Sequence, residues 1–212
     1  MAKVALITGS TSGIGLGIAR ALASKGRSIL LTGFGIPTYV PTTYLAGDLS
    51  RDDDVIGICK KIHSQYPGGI DILVNNAGFQ FVSRVEEFPL DKWTNMMSVM
   101  LTAPFLLTQN LLPGMRTKGW GRIINISSVH GHVASLNKAA YVTAKHGIQG
   151  FTKVVALETA RSGVTCNALC PGWVQTELFE KQVDEISEQG GISWQDAKEV
   201  LYKKQWSSPA AT

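Results

Sequence analysis

The 212-residue sequence predicts a single α/β domain organised around an open, doubly wound parallel sheet. Three observations lead to this prediction. Short, continuous apolar runs, typical of strands buried on both faces, recur along the chain. Stretches of helical length and pattern separate these runs, so the connections are too long for hairpins. A glycine-rich turn directly follows the first run, as it does in a strand–turn–helix unit.

The elements follow in order along the chain. The first unit comprises a strand at residues 4–7, a helix at 16–24 that Gly26 would end, and a strand at 28–32. Further strands are expected at residues 43–46, 70–74, 121–126 and 164–170, with helices between them. No internal repeat, low-complexity tract or linker divides the sequence, so we expect residues 1–212 to form one domain.

The composition excludes several classes of protein. Hydrophobic residues make up 44% and charged residues 17% of the chain, which allows a substantial core and excludes wholesale disorder. The net charge of +4 is spread along the sequence without a cluster of basic residues, so no nucleic-acid partner is expected. No apolar segment approaches the roughly 20 residues that span a bilayer, and no leader is visible, so no membrane partner is expected either.

The cysteines indicate a reducing compartment. Cys59, Cys166 and Cys170 are odd in number, and their spacing matches no disulfide or zinc framework. We therefore expect buried thiols, no metal site and a cytoplasmic location.

A candidate nucleotide site follows the first strand. Gly9, Gly13 and Gly15 form a Gly-x-x-x-Gly-x-Gly turn between the strand and the helix. Glycines allow the backbone to approach a pyrophosphate closely, and a helix start offers free N–H groups and the positive end of the helix dipole. A plain tight turn is the alternative, but the position after the first strand favours a dinucleotide site.

Two further fragments support a nucleotide site. Asp48 and Leu49 follow the third predicted strand, where a carboxylate can accept a hydrogen bond from an adenine amino group. Residues 75–78, Asn-Asn-Ala-Gly, follow the fourth, at the carboxyl edge where open parallel sheets bind ligands. An Asx turn is the alternative for this second fragment, because Asn and Gly are common in turns.

A candidate catalytic group lies in the second half of the chain. Tyr141 and Lys145 are four residues apart on a predicted helix and share a face, and Ser128 lies 13 residues before Tyr141. A free tyrosine has a pKa of about 10, and a neighbouring lysine ammonium should lower it by favouring the phenolate. The serine hydroxyl can then hold the reacting oxygen while tyrosine exchanges its proton. The alternative for the pair is an exposed helical face.

Together, these motifs resemble those of the short-chain dehydrogenase/reductase family. The resemblance runs in order from residue 3 to about 205 and includes Pro171 and Gly172. It implies a Rossmann fold, a nicotinamide cofactor, and hydride transfer between the cofactor and a substrate carbinol or carbonyl carbon, with Tyr141 as general acid/base. The implied cofactor contacts are Gly9, Ser10, Thr11, Ser12, Gly13, Ile14, Gly15, Phe34, Asp48, Leu49, Asn75, Ala77, Gly78, Tyr141, Lys145, Pro171, Gly172, Val174 and Thr176.

Residues 33–35, 123–130, 141–147 and 170–174 are most similar to the bacterial D-3-hydroxybutyrate dehydrogenases within this family. That resemblance implies interconversion of D-3-hydroxybutyrate and acetoacetate with NAD by a homo-oligomer, a tetramer, whose residues 173–206 cover the substrate. The implied substrate contacts are Gln80, Ser128, His130, Lys138, Tyr141, Trp173 and Gln182. The set is chemically reasonable, because a short carboxylate is held well by one cation and several neutral donors beside an apolar wall.

Three departures from the family pattern leave a second function open. Phe34 and Asp48 are only 14 positions apart, which leaves no room for the usual crossover helix. The sequence also ends before the helix and strand that normally close the fold, and Met100 stands where the family has an asparagine. The alternative function is therefore a catalytically impaired homologue that binds nucleotide or partner subunits.

Two finer expectations follow. NAD is expected over NADP, because neither residues 10–12 nor residues 33–35 include an Arg or Lys to hold a 2′-phosphate. Met100 cannot supply the amide hydrogen bonds with which the family's asparagine stabilises a helix bend, so Met100→Asn should raise kcat. The alternative is that Met100 is a core residue beside Met96 and Met97.

Overall fold

A parallel sheet organises the computed structural model, which describes residues 2–33, 42–174 and 176–206. Within these residues the sheet has six strands, in the order β3–β2–β1–β4–β5–β6. The strands are β1 (Val4–Thr8), β2 (Ser28–Thr32), β3 (Thr42–Tyr44), β4 (Ile72–Asn75), β5 (Gly121–Ile126) and β6 (Val164–Leu169). Every adjacent pair is parallel, which confirms the predicted doubly wound α/β fold.

Helices fill the connections between most of the strands. They are α1 (Gly13–Ser24), α2 (Asp52–Gln65), α3 (Leu90–Met97), α4 (Ala103–Thr117), α5 (Ala139–Thr159), α6 (Glu177–Gly190) and α7 (Trp194–Trp206). A π-helical turn at Ser98–Thr102 joins α3 to α4. None of the helices in the described residues is long and apolar enough to cross a membrane.

The sheet is buried on both faces, as its continuous apolar strands predict. Adjacent strand residues point to opposite faces, so each central strand contributes to two cores. The central residues divide between the faces, with Leu6, Leu30 and Leu73 on one and Ile7, Leu31 and Val74 on the other. Helices α2, α4 and α5 cover the first face, and Ala19 of α1 packs on the second.

The predicted element boundaries are correct to within a few residues. Residues 121–126 and 28–32 coincide with β5 and β2, whereas β4 begins at Ile72 rather than residue 70. Helix α1 begins at Gly13, three residues before the predicted start, because the second half of the glycine turn is already helical. Gly26 has a positive φ of 70°, in agreement with its predicted role at the end of α1.

The connection between β2 and β3 joins parallel neighbours, which pair from Ile29 with Thr42 onward. The expectations for residues 35–41 and for Phe34 fall outside the described residues, as does the last segment, 207–212.

Helices α6 and α7 form a small helical hairpin with its own core. Phe179, Val183, Ala197 and Leu201 pack together, and Trp173 contacts this cluster. The Thr176 side chain caps α6 by accepting a hydrogen bond from the Phe179 N–H at 3.3 Å. Gly191 ends α6 with a positive φ of 57°. This hairpin occupies the segment that the sequence predicts to cover the substrate.

Candidate active site

The candidate site lies at the carboxyl edge of the sheet, where the strand order reverses between β1 and β4. Such a switch point leaves a crevice, because the connections on either side run to opposite faces. The glycine turn follows β1, residues 76–78 follow β4, Ser128 follows β5, and Pro171 and Gly172 follow β6. The fold therefore brings segments that are distant in sequence to one edge.

The glycine turn is packed tightly against the segment after β4. Gly9 has a φ of +58°, and a Cβ atom there would lie 2.8 Å from the Ala77 Cα. A Cβ atom on Gly15 would lie 2.2 Å from the Gly9 carbonyl oxygen. Both positions therefore require glycine for the close approach of two backbones.

Asn76 and Thr8 hold the two segments together. The Asn76 Nδ2 group donates to the carbonyl oxygens of Thr8 and Gly9, at 2.9 and 2.8 Å. In return, the Thr8 Oγ1 atom accepts from the backbone N–H groups of Asn76 and Ala77, both at 3.0 Å. Residues 75–78 are therefore more than a local Asx turn, because they clamp the glycine turn from a neighbouring strand.

The start of α1 fits a phosphate group. Its N-cap residue, Ser12, makes no side-chain capping bond, and the first turn contains no acidic residue. The first N–H groups of a helix and the positive end of its dipole attract anions, so a pyrophosphate would meet donors and no opposing charge. Gly13 is exposed beside this helix start, and Thr176 lies next to it across the crevice.

Ser10 differs from the other predicted cofactor contacts. It is fully buried, and both its N–H and its hydroxyl donate to the Thr32 carbonyl oxygen, at 3.1 and 3.2 Å. These two hydrogen bonds from Ser10 attach the glycine turn to β2. The prediction that Ser10 contacts the cofactor is not supported by this geometry.

Asp48 is exposed beyond β3 and keeps its charge. Its Oδ1 atom accepts from the N–H and the hydroxyl of Ser50, at 2.9 and 2.8 Å. These hydrogen bonds lower the pKa of the Asp48 carboxyl below its usual value. Leu49 packs against the core under the sheet. Asp48 is thereby an ionised hydrogen-bond acceptor beyond the carboxyl end of β3.

Ser128, Tyr141 and Lys145 come together above β5. Ser128 caps a short 3₁₀ turn after β5, while Tyr141 and Lys145 lie on the first turns of α5. The Lys145 Nζ atom donates to the Ile126 carbonyl oxygen at 2.7 Å and lies 5.4 Å from the centroid of the Tyr141 ring. The Ser127 hydroxyl also donates to the Lys145 carbonyl oxygen at 3.0 Å, which attaches α5 to the end of β5.

Burial has the largest effect on the pKa values of Tyr141 and Lys145. It raises the pKa of Tyr141, although the hydrogen bond from Ser128 acts in the opposite direction. It also lowers the pKa of Lys145 to about 8. The expectation that Lys145 lowers the pKa of Tyr141 is therefore corrected. In this structure Ser128 favours the phenolate, and desolvation of the ring outweighs its effect.

His130, Lys138 and Trp173 extend the site beyond Tyr141. The His130 ring meets the Tyr141 ring edge to face, with centroids 5.9 Å apart. The Lys138 Nζ atom lies 5.4 Å from the Trp173 ring centroid, and Trp173 in turn packs against Phe179 of α6. Among the described residues, a lysine, an imidazole and an aromatic ring thus lie beside Ser128, Tyr141 and Lys145.

The two predicted glutamines stand on other elements. Gln80 lies in the loop after β4, and Gln182 lies on α6; both are half-buried. Neither side chain makes a hydrogen bond within the part of the chain that the structure describes. Gln80 and Gln182 would take part in one site only if a ligand contacted both the loop after β4 and α6.

The comparisons with known proteins agree with this geometry. Residues 3–187 match the family model described as short chain dehydrogenase. The chain belongs to the short-chain dehydrogenase family.

Several members of the short-chain dehydrogenase family are similar over nearly the whole chain. D-beta-hydroxybutyrate dehydrogenase from Cupriavidus necator is 48% identical, over 99% of this chain and 86% of that protein. The protein of the same name from Rhizobium meliloti is 47% identical, over 97% of this chain and 84% of that protein.

Among solved structures, L-sorbose reductase from Gluconobacter frateurii, complexed with NADPH and L-sorbose, has a TM-score of 0.84 and 27% identity. The match covers 97% of this chain and 89% of that one. A variant of actinorhodin polyketide ketoreductase with NADPH has a TM-score of 0.83 and 30% identity, over 97% and 89%. A nucleotide cofactor is therefore supported for this short-chain dehydrogenase.

Met100 is buried close to Lys145, since the side chains of both residues lie near Gly78. It is 3% exposed and packs with Met96, Ala140 and Ala144. A Cβ atom on Gly78 would lie 3.2 Å from the Met100 Sδ atom. Met100 lies within the π-helical turn, so the helix is bent here with methionine in place of the family's asparagine.

Sequence reasoning missed the residues that position the site. The roles of Thr8, Asn76, Ser127 and Ser135 depend on contacts between strands and loops far apart in sequence. The only available signal was the second asparagine of residues 75–78, whose amide has the two donors that this clamp uses. The serines carried no signal, because hydroxyls are common in loops.

Proposed function

We propose that this chain is an NAD-dependent dehydrogenase that interconverts D-3-hydroxybutyrate and acetoacetate, with Tyr141 as general acid/base. The observation that carries the proposal is the arrangement along α5, in which Lys138 at the N-cap lies one turn before the half-buried Tyr141 and two turns before the buried Lys145. The names of the two relatives at 47 and 48% identity support the same substrate.

The chain's own residues account for proton movement. Ser128 lies within hydrogen-bonding reach of the phenol oxygen of Tyr141, so both can contact the oxygen of a secondary alcohol bound beside them. The phenolate form of Tyr141 takes the alcohol proton and becomes a phenol as the C–O bond becomes a carbonyl, and Ser128 holds the developing oxygen. A bound nicotinamide would supply the hydride chemistry at the carbinol carbon.

Lys145 keeps a positive charge close to the Tyr141 ring at neutral pH, since the pKa of its ammonium is lowered only to about 8. Its hydrogen bond to the Ile126 carbonyl oxygen fixes the ammonium between α5 and β5. Above that pKa the positive charge beside the Tyr141 ring is lost.

A short hydroxy acid suits the outer part of the site. Lys138 provides a cation for the carboxylate, while the imidazole of His130, whose pKa burial lowers to about 4, is uncharged at physiological pH. Trp173, packed against Phe179, provides an apolar wall for a methyl group. Selection for a short hydroxy acid then depends on the ion pair between Lys138 and the substrate carboxylate and on the apolar contact with Trp173.

The glycine turn supports NAD over NADP. Thr11 lies against Gly33 at the end of β2, where a Cβ atom on Gly33 would lie 3.0 Å from the Thr11 hydroxyl oxygen. Neither residue is a cation that could pair with a 2′-phosphate. Phe34, which would border the adenosine ribose, lies outside the described residues.

An apolar face supports a homo-oligomer, for which the family resemblance implies a tetramer. Phe105 of α4 and Val154 and Leu157 of α5 are 45, 53 and 79% exposed. A second copy of this face would cover them, as in other isologous interfaces. Leu157→Glu should then lower the molecular mass measured by sedimentation. An unchanged mass would exclude this face as an interface.

The experiment that tests the function follows NADH absorbance when the purified chain is mixed with NAD and D-3-hydroxybutyrate. Matched reactions with NADP, with the L enantiomer and with the uncharged 2-butanol serve as controls. We expect turnover with the D acid and NAD, and much less in each control. Turnover of 2-butanol equal to that of the acid would refute the proposed substrate. Tight NADH binding without any turnover would favour an impaired homologue, which the joined Ser128, Tyr141 and Lys145 argue against.

A further inference from the structure

His130 lies between two serine hydroxyls. Its Nε2 atom is 2.7 Å from the Ser135 Oγ atom, and its Nδ1 atom is 3.5 Å from the Ser128 Oγ atom. Ser135 is half-buried in the loop between β5 and α5 and is not one of the predicted site residues. The imidazole thus connects a serine outside the catalytic group to the serine within it.

The imidazole carries one ring proton at neutral pH. Burial, followed by the charges of Lys138 and His146, lowers the pKa of His130 to about 4. A neutral imidazole donates through one nitrogen and accepts through the other. The direction of one hydrogen bond to the ring therefore fixes the direction of the other.

Ser128 favours one of the two directions. Its Oγ atom already accepts from the His130 backbone N–H at 3.2 Å, and its hydrogen bond with Tyr141 lowers the pKa of the phenol, as a bond donated to the phenol oxygen does. A hydroxyl has one proton to donate and two lone pairs to accept with. Ser128 therefore accepts from the His130 Nδ1–H, and the Nε2 atom has no proton.

We propose that Ser135 is a positioning residue, whose hydroxyl donates to the His130 Nε2 atom and fixes the Nδ1–H tautomer. The hydrogen bonds then run in one direction, from Ser135 through His130 and Ser128 to Tyr141. If Ser135 accepted instead, the proton would move to Nε2, and Ser128 would be drawn to donate to Nδ1 rather than toward the reacting oxygen. The catalytic consequence rests on the proposed function, but the tautomer does not.

The tautomer can be measured without substrate. Ring-nitrogen NMR of the chain with isotope-labelled histidine distinguishes Nδ1–H from Nε2–H, and the His130→Gln variant assigns the His130 signal. We expect the Nδ1–H form in the wild-type chain, the same form in Ser135→Thr, and a shift toward Nε2–H in Ser135→Ala. Ser24→Ala, which removes an exposed hydroxyl at the end of α1, is the matched control and should change nothing.

Kinetics supply the second measurement. Ser135→Ala should lower kcat about five- to tenfold, the effect of one misdirected hydrogen bond, and leave the Kd for NADH unchanged. Ser135→Thr should restore kcat, because it restores the donor. An Nε2–H or charged His130 in the wild-type chain would overturn the proposal, and so would a Ser135→Ala variant with the wild-type tautomer. If the tautomers agree but the wild-type chain does not oxidise 3-hydroxybutyrate, the proposed function fails and the hydrogen-bond assignment stands.

Discussion

At the scale of single residues, Lys138 carries the proposed recognition of the acid. Lys138→Ala should raise the KM for D-3-hydroxybutyrate strongly, with a loss in kcat/KM that corresponds to about 2 to 4 kcal/mol, because the carboxylate would lose its one desolvated cation. Lys153→Ala is the matched control, since Lys153 is exposed farther along α5. Steady-state kinetics of the two variants are the measurement. Normal turnover of the acid by Lys138→Ala would show that the carboxylate binds elsewhere.

His130 should make the fold sensitive to acid. Its folded-state pKa of about 4 lies below the ordinary histidine value of 6.5, so between these values the unfolded chain binds more protons than the folded one. Stability should therefore decrease as the pH falls from 6.5 to 4, and His130→Gln should remove part of this decrease. Thermal unfolding at several pH values tests this, with His63→Gln on the exposed side of α2 as control. Parallel Tm profiles for wild type and His130→Gln would contradict the assignment.

At the scale of elements, the glycine turn and the segment after β4 act as one unit. Gly9→Ala should destabilise the fold and abolish NADH binding, because its Cβ atom would meet the Ala77 Cα at 2.8 Å and its φ is +58°. Gly17→Ala in the same α1 region is the contrasting control. No atom lies within 4 Å of a Cβ there, so the change should stabilise the helix by about 0.5 to 1 kcal/mol. Measurements of unfolding and of NADH binding for both variants test this prediction. Normal NADH binding by Gly9→Ala would mean that this contact can relax.

The bend between α3 and α4 revises the expectation for Met100. The π-helical turn is already formed with methionine, and the side chain is 3% exposed among Met96, Ala140 and Ala144. We therefore expect Met100→Asn to lower the free energy of unfolding by about 2 to 4 kcal/mol without raising kcat, because an amide would replace apolar contacts. Met100→Leu keeps these contacts and should be nearly neutral.

Both kcat and Tm of the Met100 variants need to be measured. A kcat about tenfold higher for Met100→Asn, with an unchanged Tm, would instead support the expectation drawn from the sequence, in which the asparagine amide improves the bend.

At the scale of the whole molecule, the sequence predicts the fold well because the signals are local. Apolar runs, helical spacing and the glycine turn each depend on neighbours in the chain, and both faces of the sheet are buried accordingly. Positions that depend on distant contacts were not predictable. Ser10 lies in the glycine turn, yet its hydroxyl donates to the Thr32 carbonyl oxygen. Asn76 and Ser135 make hydrogen bonds with Thr8 and His130, which lie in other segments. The prediction that Lys145 lowers the pKa of Tyr141 failed for the same reason. Burial raises that pKa, and burial is a property of the folded molecule.

The most direct test of the account is the oxidation of D-3-hydroxybutyrate by Tyr141→Phe, measured beside the binding of NADH to the same variant. The substitution keeps the buried ring and removes only the hydroxyl that exchanges the proton. We predict a kcat lower by a factor of about 10² to 10⁴, the usual contribution of a general acid/base, with the Kd for NADH unchanged. A Tyr141→Phe variant that retains most of its activity would contradict the assignment of Tyr141 and the mechanism built on it.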